Sequence, residues 1–180
     1  MQKLLTFPVM LVFAATALAQ KPLPIKVRVI YDTSDASSSA VVPILVQKIA
    51  GQPKLFAVVN RQDEDKDMSV VADCYKEAGD TPYSCFYTAS KWRNATQAFL
   101  GGAIVVKKSA DDAATALFAS IVQDISERWN STDHRMLVGE LEACLALTES
   151  SCAVPEPLIP ELKAKTINLS QYARKGGLKP

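Results

Sequence analysis

The chain has 180 residues, 20 basic against 19 acidic side chains, and 48% hydrophobic residues. A chain of this size buries about 70% of its unfolded surface around a single core. Its balanced charge excludes the broad basic surface that binds nucleic acid.

Residues 1–19 read as a cleaved signal peptide. Lys3 opens the segment, Leu4–Ala15 is apolar, and Ala17-Leu18-Ala19 has the A-x-A form of a cleavage site. The apolar run is too short to span a bilayer and no second one follows. Cleavage before Gln20 removes Lys3 and leaves basic and acidic groups equal in number. No cysteine stands at that point, so a lipoprotein anchor is not indicated. The expected location is exported, in a periplasm or outside the cell.

Residues 20–130 are expected to form an α+β core. Ile25–Tyr31 alternates apolar and polar residues, the mark of a half-buried strand. Asp32–Ser39 is a polar loop, and a helix follows over about Ala40–Ala50 with Gly51 as its stop. Pro43 is tolerable there only in the first turn. Leu55–Asn60 reads as a short apolar strand, followed by the charged turn Arg61–Asp67.

Met68–Lys76 and Tyr83–Trp92 are rich in Val, Tyr, Phe and Thr and flank Gly79-Asp80, a two-residue hairpin loop. That register puts Cys74 opposite Cys85 in a hydrogen-bonded pair, within disulfide reach. It also puts Met68, Val70, Ala72, Cys74, Cys85, Tyr87 and Ala89 on one face, taken as the core. Val71, Asp73, Tyr75, Ser84, Phe86, Thr88 and Trp92 share the other.

Phe99–Val106 reads as a further buried strand, and its Gly101-Gly102 pair implies a bulge or a close backbone approach. Ser109 caps a helix over about Ala110–Trp129, with Asp111 and Asp112 at its positive end. Residues 131–180 should hold a second helix, Asp133–Leu147, then a Pro-rich, basic tail packed on or trailing from the core.

The expected fold is therefore α+β: a four- to five-stranded, mostly antiparallel sheet in the order β-α-β-β-β-β-α-α. Its helices pack on one face, and the first strand is free to run parallel because a helix separates it from its partner. Cys144 and Cys152 complete a second local disulfide. This element order resembles the small α/β domains of bacterial envelope proteins, such as the N-terminal domain of the Tol-system propeller protein. A likeness of order implies a fold and no function.

No motif carries catalysis. His134 is the only histidine, no G-x-S-x-G elbow accompanies it, and a zinc site from His134, Cys144 and Cys152 would compete with a disulfide. Asp63, Asp65 and Asp67 have calcium-loop spacing, but Met68 stands where Gly belongs and Cys74 where Glu belongs. No metal and no cofactor is expected. Asn94, Asn130 and Asn168 head glycosylation sequons in expected loops or ends.

Tyr75, Phe86 and Trp92 are the candidate binding face for a protein or peptide partner. The competing expectation is that Leu158, Ile159, Leu162 or Ile167 folds back to cover it. The basic tail offers a weak contact with an anionic surface. The functional expectation is an exported, disulfide-stabilised, non-enzymatic interaction module. The alternatives are a small secreted hydrolase using His134 or carboxylates, and a secreted inhibitor or effector.

Overall fold

The protein is described from a computed structural model over residues 23–60, 65–93, 96–146 and 152–164. The expected signal peptide, Asp63, Asn94, Asn168, Ile167 and the tail beyond residue 164 lie outside these residues.

Five strands form one mixed sheet: β1 (Ile25–Ile30), β2 (Phe56–Val58), β3 (Met68–Tyr75), β4 (Tyr83–Arg93) and β5 (Thr96–Lys107), in the spatial order β2-β1-β3-β4-β5. The β3–β4 and β4–β5 pairs are antiparallel and carry the long registers. β1 is parallel to both β2 and β3, because the helix α1 (Ala36–Ala50) crosses over after it. Helix α1 and the long helix α2 (Ala110–Ala146) pack together on one face of the sheet. Between them and the sheet lie Val27, Val41, Val42, Leu45, Met68, Val70, Tyr87, Leu117 and Ile121, all at most 1% exposed.

The hairpin face expected to be the core is the buried one: Met68, Val70, Ala72, Cys74, Cys85, Tyr87 and Ala89 are all covered. Cys74 faces Cys85 in register and is bonded to it. The pair is not the hydrogen-bonded kind, however. The Cys74 N–H points away from β4 and donates to Ser38 Oγ at 2.9 Å, and the two Cα atoms are 4.0 Å apart. The reason is the turn. Residues 76–82 form an open connection rather than a tight two-residue loop, with Gly79 at φ 93°, and this shifts the hydrogen-bond parity.

Helix α1 begins a turn earlier than expected. Asp35 caps it by accepting from the Ser38 N–H at 2.6 Å, so Pro43 lies in the helix interior. Ser38 is fully buried and its hydroxyl takes over the edge of β3 that β1 leaves unpaired beyond Val71.

The helix expected to end near Trp129 continues through Asn130, Ser131 and Thr132 to Ala146. These are weak helix formers, not breakers. The Ser131 hydroxyl bonds back to the Arg128 carbonyl at 3.0 Å, and Thr132 is buried. Ser109 caps the start as expected, accepting from the Asp112 N–H at 3.1 Å.

The C-terminal segment does not cover the second sheet face with Leu158 or Leu162. A 3-10 turn (Glu156–Leu158) and a short helix α3 (Ile159–Lys163) pack on the far end of α2 instead. There Leu137, Leu141, Leu145, Cys152 and Leu158 form a small separate core, with Leu162 against it, closed by the Cys144–Cys152 disulfide.

Candidate functional site

Because both long helices lie on one side, the outward face of β3–β4–β5 has no layer over it among the described residues. The cross-strand rows there are Val71–Thr88–Gly102, Asp73–Phe86–Ile104 and Tyr75–Ser84–Val106. Five of these side chains are exposed and large: Val71 41%, Tyr75 63%, Phe86 44%, Ile104 76% and Val106 57%. They are neighbours along and across strands, so they form one patch.

Of the three aromatics read from sequence, Tyr75 and Phe86 belong to this patch and Trp92 does not. Trp92 lies six residues beyond Phe86 on β4, about 20 Å along the strand. Its indole N–H donates to Ser69 Oγ at 2.8 Å, and Lys66 Nζ sits 4.1 Å from the ring centre. It therefore closes its own end of the sheet.

Ile104 and Val106 were legible only as part of a buried strand. The run Ala-Ile-Val-Val is apolar on both faces, so its period cannot show that β5 stands at an edge. Phe99, 62% exposed, follows the same face past the bulge.

The bulge itself was legible. The β4–β5 register shifts between Ala89 and Ser90, leaving Leu100 as the extra residue. Beside it the two glycines permit close approach: a Cβ on Gly101 would lie 1.9 Å from the Asp124 carboxylate, and one on Gly102 would lie 2.7 Å from the Tyr87 carbonyl oxygen. Asp124 fills that space, accepts from Tyr87 Oη at 2.6 Å and pairs with Arg128 at 3.2 Å. Burial first, then the hydrogen bond and charge of Asp124, push the Tyr87 phenol far above its ordinary pKa, with Arg128 opposing. The phenol stays protonated and acts as a fixed donor, not as an acid or base.

A second polar cluster joins β4 to α2. Lys91, 5% exposed, pairs with Asp133 at 2.9 Å and lies 4.0 Å from the Trp129 ring centre. Arg93 reaches Asp133 and Glu140. Every charge here has a partner, so the cluster fastens the hairpin to the helix.

The remaining sequence candidates are found in contacts between elements. His134 Nε2 meets Glu161 Oε2 at 2.8 Å and ties α3 to α2. Cys144 and Cys152 are bonded to each other, so neither can ligate zinc. Asp67 accepts from the Lys26 N–H at 2.8 Å and Asp65 pairs with the Lys26 ammonium. Both thus brace β1. Among the described residues no three His, Cys, Asp or Glu side chains converge on a metal position. Asn130 stands in the middle of α2, exposed, rather than in a loop.

The fold and this geometry define a two-layer α+β domain with two local disulfides and one sheet face that no described residue covers. Comparison with protein-family models, with curated proteins and with solved structures finds no match. Among the described residues no helix is long and apolar enough to cross a membrane.

Proposed function

We propose that this chain is an exported, non-enzymatic interaction module whose recognition surface is the open sheet face around Val71, Tyr75, Phe86, Ile104 and Val106. The observation that supports the reading is the contiguous exposed apolar patch on rigid antiparallel strands. Isolated apolar residues are ordinary on a surface, but a continuous patch marks a contact site. The partner this face suits is a protein presenting an apolar surface of its own. The Cys74–Cys85 bond lies directly beneath the patch, which keeps it preformed and lowers the ordering cost of binding. Two disulfides and the leader-like first nineteen residues support an oxidising compartment.

The test is capture from envelope or secreted extract by the oxidised protein, run beside Phe86→Ala and Ile104→Ala. A partner held by the parent and lost from both variants is expected. A partner retained equally by all three would remove this face as the site.

A further inference from the structure

A cleft of about 870 Å³ lies between the start of β5 and the C-terminal half of α2; Phe99 reaches it from the outward sheet face, but Val71, Tyr75, Phe86, Ile104 and Val106 do not line it. Ala98, Phe99, Arg128, Arg135, Met136 and Gly139 contribute to its lining. Its size falls in the range of small-ligand sites, which combine apolar walls with a few convergent polar groups.

The charges leave one group available. Arg128 is paired with Asp124 at 3.2 Å, and Glu140, also on the wall, is held by Arg93 at 3.3 Å. Among the described residues Arg135 donates to a neutral hydroxyl, Thr132 Oγ1 at 3.1 Å, and has no carboxylate partner. Its planar fork of N–H donors matches a carboxylate bidentately.

Gly139 follows one turn after Arg135. Glycine is the weakest helix former apart from proline, yet a Cβ at this position would meet nothing within 4 Å. No packing contact requires it. Its effect is to leave the cleft floor bare beside the available guanidinium.

We propose that this cleft binds a small amphiphilic carboxylate, its head group on Arg135 and its aliphatic body over Gly139 against Phe99 and Met136. The site is independent of the sheet-face reading.

Titration calorimetry of the full oxidised protein with octanoate, and with octanol as the uncharged counterpart, tests it. Octanoate should bind one per chain. Arg135→Gln should weaken octanoate roughly tenfold, the scale of one charge-assisted contact, and leave octanol little changed. Gly139→Leu should block both ligands without lowering the melting temperature, because leucine is the better helix former. Phe86→Lys on the sheet face should leave octanoate binding intact. Three results each overturn the proposal: no octanoate binding by the parent, binding indifferent to both cleft variants, or binding lost through Phe86→Lys instead.

Discussion

Gly101 and Asp124 share one space, and that exchange organises the buried polar chemistry of the sheet. A methyl on Gly101 would collide with the Asp124 carboxylate, and one on Gly102 with the Tyr87 backbone. Backbone yields less than a side chain, so Gly102→Ala should destabilise by about 2 kcal/mol or more in chemical denaturation. Tyr87→Phe takes the phenol donor from Asp124 Oδ2, leaving Arg128 on Oδ1, and should cost about 1–3 kcal/mol. Its pH signature is specific. The folded phenol holds its proton more tightly than the unfolded one, so its contribution is complete below the unfolded tyrosine pKa of about 10 and declines as pH rises above it. The stability difference between parent and Tyr87→Phe should therefore shrink above that pH. Lys91 and Asp133 give an asymmetric pair. Asp133→Asn takes the opposite charge from an ammonium that is 5% exposed, leaving it the Trp129 ring and carbonyl and a neutral amide, and should cost about 3 kcal/mol. Lys91→Met leaves Asp133 with Arg93 at 3.6 Å and should cost less, so equal losses in thermal melts would contradict the assignment.

Elements were legible where a local signal has a local cause. Ser109 and the two aspartates after it mark a helix start, and the chain starts a helix there. The glycine pair marks a bulge, and the register shifts beside it. What failed was punctuation read from weak signals. Asn130-Ser-Thr132 looks like a break, but each residue costs a fraction of a kcal/mol, about 0.7 at most, in a helix. Burying Leu137, Leu141 and Leu145 on the same helix outweighs that. Pro43 looks like a start, but Asp35 and Ser38 cap the helix earlier because Ser38 is needed at the β3 edge. Gly139→Ala should raise stability by about 0.5–1 kcal/mol, since the position has room for a methyl. Replacing Cys144 and Cys152 by Ser should release only the small core on the far end of α2. Hydrogen exchange would then quicken in residues 137–145 while β3 and β4 keep their protection; parallel loss in both regions would refute the separation.

At the scale of the whole molecule, two helices cover one face of a five-stranded sheet, and among the described residues nothing covers the outward face of β3–β4–β5. The candidate site is a product of that layering. Phe86 and Tyr75 were visible beforehand because strand alternation places them opposite the core. Ile104 and Val106 were not, because an apolar run cannot report which of its faces has a neighbour. Ile104→Lys should change unfolding free energy by less than about 0.5 kcal/mol, as an exposed substitution does, while reducing binding of a hydrophobic dye to the native state. A large destabilisation instead would mean that the residue is covered.

The sequence by itself determined the faces of β1, β3 and β4, the local cysteine pairing, the helix start at Ser109 and the irregularity at the glycine pair. These follow from backbone geometry and from neighbours within a few positions. Only the tertiary structure decided that α2 is unbroken, that the segment 152–164 docks on it rather than over the sheet, and that β5 is an edge. Those outcomes depend on which apolar surfaces meet across long stretches of chain, and the hydrophobic effect that joins them has no direction to write into a local pattern.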